Sequence, residues 1–82
     1  MKVPGSDLER QVEELIRNVL RPKERTAAPL RRMDVAEWDS LKHVEIVFAL
    51  EDEFDVQFDE SEFALMDSSA TITALLRKHL EA

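Results

Sequence analysis

Apolar residues recur along this chain with helical rhythm. Leu8, Val12, Leu15, Ile16, Val19 and Leu20 follow one another as a single stripe, with charged and polar residues between them. That stripe predicts an amphipathic first helix. Ser6-Asp7-Leu8-Glu9 reads as its capping box, with Ser6 as the cap and Glu9 reaching back, and Pro22 stops it. Residues 21–39 break the rhythm and predict a long connection, which is more often functional or partly ordered than idle in a small domain. Within it, Leu30, Met33, Val35 and Trp38 are apolar enough to tack the segment onto a core.

A second helix is predicted from about Asp39-Ser40 to Phe54, followed by a turn over Asp55 to Phe58 that carries anchoring apolar residues. A short third helix fits Glu60 to Leu65. Ser68, Ser69 or Thr71 caps a fourth, whose buried stripe is Ile72, Leu75, Leu76 and Leu80. The fold class expected is all-α: a four-helix bundle of three main helices and one short one, with a long loop between the first two.

The second helix does not have one apolar face but two. At about 100° per residue, Leu41, Val44, Glu45, Phe48, Glu51, Asp52 and Asp55 share a sector of roughly 120°. Ile46, Val47, Leu50 and Phe54 occupy the opposite sector, which holds no acid and reads as core. The first sector mixes three apolar residues with four carboxylates. A solvated face rarely aligns Leu, Val and Phe, and a core face rarely holds four acids. A partner-docking surface contains both, with apolar anchors for affinity and acids for steering. The competing reading is a small bundle that wraps this helix on most sides, with the 21–39 loop covering Leu41 and Val44.

Composition narrows the classes. The length of 82 residues suits one domain over 1–82, with a modest core and no deep enclosed active site. With one glycine and three prolines, turn residues are too scarce for a many-stranded β fold. There is no cysteine, so no disulfide framework and no thiol chemistry of the chain's own. No apolar run approaches a membrane span, and the first residues lack a signal-peptide core, so a cytoplasmic protein is the expectation.

Charge is divided unevenly. Residues 1–33 carry 8 Lys/Arg and 5 Asp/Glu, and residues 34–82 carry 3 Lys/Arg and 13 Asp/Glu. The acidic part disfavours nucleic acid and anionic membranes and favours proteins with basic docking patches. The connection is the basic exception, with Arg21, Lys23, Arg25, Arg31 and Arg32.

Ser40 stands at the start of the two-faced helix, where free N–H groups and the helix dipole favour an anion such as a phosphodiester. Asp39 can cap the same helix. Taken alone, Asp-Ser-Leu is a weak motif, and a plain N-cap pair explains it. In its context the stretch "DSLKHVEIVFALEDEF", residues 39–54, strongly resembles the attachment-site helix of acyl carrier proteins: Asp-Ser-Leu, a Val-Glu-apolar-Val run, then Ala-Leu-Glu, two acids and Phe. The first helix, the long loop, the short third helix and the closing "TITALLRKHL" agree more loosely, so the resemblance covers nearly the whole chain.

The resemblance implies a non-enzymatic carrier of acyl or aminoacyl groups held as thioesters on a covalent 4′-phosphopantetheine cofactor. Ser40 would receive that group from a phosphopantetheinyl transferase using coenzyme A, and Asp39 would contact the transferase and its magnesium. Leu41, Val44, Glu45, Phe48, Glu51 and Asp52 match partner-docking positions. Ile46, Leu50 and Phe54 match core positions that part to shelter an acyl chain. The reactive thiol would be imported on the arm, and the partners would be the transferase and acyl-loading and acyl-transferring enzymes, met by a monomer.

The chain departs from the fatty-acid-synthesis pattern at Lys42-His43, where Asp and a small polar residue are common, and at Trp38, which replaces a small residue. With the basic loop, this suggests a specialised lipid, secondary-metabolite or aminoacyl pathway rather than housekeeping fatty acid biosynthesis. His43 falls towards the core side and is expected to be packed or hydrogen-bonded. His79 is expected near a helix C-terminus.

Other chemistry fits less well. A calcium loop at Asp55, Gln57 and Asp59 fails at its sixth position, Glu60, and at its twelfth, Met66. A serine-hydrolase elbow needs glycines that this chain lacks. The alternative to the carrier is a helical interaction module that uses the same acidic-apolar face and leaves Ser40 unmodified.

Overall fold

The computed structural model describes residues 4–23 and 30–81, with side chains from residue 7. Arg25, one of the basic residues of the connection, lies outside the described residues. Among these residues four helices follow in order: α1 (Pro4–Leu20), α2 (Ser40–Phe54), α3 (Glu60–Phe63) and α4 (Ser69–Glu81), with one 3-10 turn at Arg32–Asp34 before α2. Among the described residues there is no strand, only an isolated bridge between Arg31 and Ser68. The radius of gyration, 12.0 Å, is that of a compact chain of this length, about 12 Å.

α1 begins three residues earlier than a Ser6 cap predicts. Pro4 is its first residue, so Ser6 lies inside the helix and is not its cap. Proline suits a first turn because its fixed φ is already helical and its missing N–H would have no partner there. The stripe is as expected: Val12, Ile16 and Leu20 are buried, and Leu8, Leu15 and Val19 pack against them half-buried. α1 ends as Arg21 turns left-handed (φ 47°), its N–H donating to the Arg17 carbonyl at 2.8 Å, and Pro22 follows.

α1 packs against both α2 and α4. The core between them is Val12, Ile16 and Leu20 from α1, Ile46, Val47 and Leu50 from α2, and Ile72 and Leu76 from α4. Leu30, Val35, Trp38, Phe58 and Met66 close it from the connecting segments. Of the expected core members, Phe54 and Leu75 pack against it half-buried, and two more stay outside it. Met33 sits on the outer side of the 3-10 turn and is 83% exposed, and Leu80, in the last turn of α4, is half-exposed.

The connection is anchored to the segment before α4 by backbone. Leu30 N–H donates to Ser69 Oγ (2.9 Å), Ser69 N–H to the Leu30 carbonyl (2.7 Å), and Arg32 N–H to the Asp67 carbonyl (2.8 Å). Ser69 is buried, and its hydroxyl also donates to Glu13 Oε2 at 3.3 Å. One serine therefore joins α1, the connection and α4, and a buried hydroxyl is stable only when partnered in this way. α4 is opened by Ser68, whose Oγ accepts the Thr71 N–H at 3.1 Å.

α3 is shorter than predicted, four residues rather than six. Its ends are nonetheless well satisfied. Asp59 caps it, Asp59 and Glu62 form a reciprocal capping box, and the other Glu62 oxygen meets His79 Nε2 at 2.9 Å. His79, in the last turn of α4 as expected, also meets the Phe58 ring edge-on at 5.0 Å. A short helix needs such ties, because one turn is unstable alone.

Candidate functional site

α2 starts where the sequence predicts. Asp39 is extended at the N-cap, and its Oδ1 accepts the Lys42 N–H at 2.9 Å. Ser40 is the first helical residue and is exposed, so its hydroxyl is open to reagents. Among the described residues, one side chain from outside the helix reaches it. Arg32 donates from Nε to the Trp38 carbonyl at 3.3 Å and places Nη2 3.5 Å from Ser40 Oγ. A cleft of about 690 Å³, lined by Arg31, Arg32, Met33, Trp38, Asp67 and Ser68, opens beside this arginine. Nothing in the sequence pointed to Arg32 individually, because the contact spans a 3-10 turn and a second turn that no periodicity encodes.

Behind the serine, Trp38 and His43 form a buried pair. The Trp38 indole Nε1–H donates to His43 Nδ1 at 3.0 Å. His43 Nε2–H then donates to the Phe63 carbonyl at 2.9 Å. An indole can only donate and a carbonyl can only accept, so the two bonds select the neutral imidazole with its proton on Nε2. The histidine thus links the residue two before Ser40 to the end of α3. It is buried and hydrogen-bonded, as its angle on the helix predicts.

The two faces of α2 part as the angular count predicts. Ile46, Val47 and Leu50 are fully buried. Phe54 is half-buried and lines a groove of about 420 Å³ between α1 and α2, together with Leu15, Val19 and Ala49. On the other face Leu41 is 67% exposed, Phe48 60% and Val44 39%. Among the described residues the connection packs its Leu30, Val35 and Trp38 into the core and leaves these three side chains exposed, which speaks against the wrapped-helix reading.

The acids of that face are not equivalent. Glu45 is exposed, but Lys42 Nζ lies 3.4 Å from its Oε1. Glu51 is half-buried and turned towards the α2–α3 connection, where Oε2 accepts the Phe58 N–H at 2.9 Å. Its backbone carbonyl also accepts the N–H groups of Asp55 and Val56. Sequence spacing groups Glu51 with the docking acids, and in the structure its carboxylate also closes the turn after α2. Asp52 is exposed and stands one position beyond it on the same face.

Among the described residues no group of three His, Cys, Asp or Glu side chains gathers as a metal site. Asp59, a member of the rejected calcium loop, spends its carboxylate on the α3 cap and on Ser61 Oγ at 2.7 Å. Those hydrogen bonds, led by Ser61, hold its carboxyl below the usual 3.8. No described helix is long and apolar enough to cross a membrane. Compared with known proteins, the chain matches no family model, no curated protein and no solved structure.

Proposed function

We propose that this protein is an acyl carrier of acyl-carrier-type fold, modified on Ser40 and without catalytic activity of its own. One observation carries the reading: an exposed serine opens a helix whose free side presents Leu41, Val44 and Phe48 beside acids. A modifiable hydroxyl and an unpartnered apolar-acidic face on one element are what a protein needs when enzymes must find it and act on something it bears.

The residues around Ser40 suit a 4′-phosphopantetheine group. The hydroxyl is open, the first turn of α2 favours an anion, and a guanidinium stands beside it. When bound, the group supplies the thiol that carries an acyl or aminoacyl chain as a thioester. The chain's own residues do the rest. Asp39 holds the first turn of α2 in shape through Lys42 N–H. Leu41, Val44 and Phe48 anchor a partner, and Asp52 leads the steering, because Glu45 is partly neutralised by Lys42. Ile46 and Leu50 are sealed in the core, and sheltering an acyl chain requires α2 to part from its neighbours there. The partners follow from this role: a phosphopantetheinyl transferase, then enzymes that load and remove the acyl group, working on a cytoplasmic monomer in a specialised lipid, secondary-metabolite or aminoacyl system.

The test is loading. The protein is incubated with coenzyme A, magnesium and a broad-specificity phosphopantetheinyl transferase, and intact mass is measured beside Ser40→Ala. A gain of one phosphopantetheine in the wild type alone is the expected result. No gain with several transferases, on folded protein, replaces the carrier with an unmodified interaction module that uses the same face. A gain in both samples moves the attachment to another serine.

A further inference from the structure

We infer that Arg32 binds the phosphodiester formed on Ser40 and is the residue that orients the arm at the protein surface. The inference rests on the carrier reading of Ser40. It starts from a charge without a counter-charge. Arg31 is paired with Asp34 at 2.9 Å and Lys42 with Glu45 at 3.4 Å, but among the described residues no carboxylate pairs with Arg32. The carboxylate next to Ser40, that of Asp39, is engaged by the Lys42 N–H. The Arg32 guanidinium is nevertheless held in place. Its backbone N–H is bound to the Asp67 carbonyl at 2.8 Å and its Nε to the Trp38 carbonyl at 3.3 Å.

Its remaining contact, Nη2 to Ser40 Oγ, is 3.5 Å, the outer limit of a hydrogen bond. A neutral hydroxyl is a weak partner for a guanidinium. A phosphate ester on the same oxygen puts anionic oxygens within reach of the same nitrogen, and the planar fork of arginine matches phosphate in a way that an ammonium does not. The cation therefore stands ready on the oxygen that becomes anionic, and modification completes a pair that the unmodified protein leaves open.

The experiment uses the loaded protein as wild type, Arg32→Gln and Arg32→Lys, with mass spectrometry to verify the arm in each. The phosphorus NMR shift of the phosphodiester is recorded at low and high salt, and the Arg32 Nε–H resonance of the wild type before and after loading. Arg32 binding predicts that the Nε–H resonance moves on loading and that the phosphorus resonance of Arg32→Gln differs from wild type. It also predicts that salt moves wild type towards Arg32→Gln, and that Arg32→Lys lies between them. An unmoved Nε–H resonance with identical phosphorus shifts, on protein that carries the arm, overturns the role of Arg32 and leaves the carrier reading intact. Absence of the arm from wild type overturns both. The Nε–H measurement needs no variant, so a folding defect in a mutant does not rescue the idea.

Discussion

His43 ties the segment before α2 to the end of α3. It satisfies the Trp38 indole and the Phe63 carbonyl at once, and no described buried side-chain nitrogen or oxygen is left without a partner. His43→Ala removes both bonds and opens a void beside Trp38, and stranded polar groups of this kind cost about 1–3 kcal/mol each. The expected loss is about 2 kcal/mol or more in urea unfolding, with a changed Trp38 fluorescence, and a loss within ~0.5 kcal/mol would show that the pair contributes nothing. The placement of His43 towards the core was readable from its angle on the helix. Its partners were not, because one closes an irregular turn before the helix and the other lies 20 residues away. Arg32 was hidden for the same reason. Met33 misled the reading because hydrophobicity alone does not say which way a residue in an irregular segment faces.

At the scale of elements, α2 shows how far a helical period can be trusted. Counting 100° per residue separated Ile46, Val47 and Leu50 from Leu41, Val44 and Phe48, and the burial follows that line. The same count placed Glu51 and Asp52 together, and here tertiary contacts divide them. Glu51 closes the turn after the helix through Phe58 N–H, while Asp52 is exposed. Two variants should therefore behave oppositely. Glu51→Ala is expected to lower stability by about 1 kcal/mol, the usual value of a partly buried hydrogen bond. Asp52→Lys is expected to leave melting unchanged and to slow transferase loading severalfold at low salt, an effect that fades as salt rises. Equal loading rates for Asp52→Lys and wild type at low salt would remove Asp52 from the docking face. The start of α1 carries a related lesson. Ser6-Asp7-Leu8-Glu9 has the letters of a capping box, but Pro4 starts the helix earlier.

Over the whole molecule, acid carboxylates fasten one segment to the next. Glu37 Oε2 accepts Lys23 N–H at 3.1 Å, which ties the exit of α1 to the approach to α2, and this bond lowers the Glu37 carboxyl below its usual value. Asp59 is lowered likewise by its bonds at the α3 cap. A carboxyl that ionises more readily in the folded state stabilises it above the unfolded value and loses that contribution as pH falls through the folded one. The stability of this protein should therefore hold above about pH 5 and decline below about pH 4. Asp59→Asn keeps a capping oxygen and lacks the charge, so its denaturation midpoint should fall less between pH 6 and pH 3 than that of wild type. Parallel curves would exclude Asp59 as a contributor. By itself the sequence determined what depends on neighbours along the chain: the helical periods, the cap at Asp39, the stop at Pro22 and the two faces of α2. Those patterns are set by backbone geometry and by the aversion of apolar side chains to water, and both act within a few residues. Only the tertiary structure decided the Ser69 junction, the Trp38–His43–Phe63 chain, the turn-closing duty of Glu51 and the approach of Arg32 to Ser40. Each of these joins groups on different segments, and the chain must first be packed before such groups can meet.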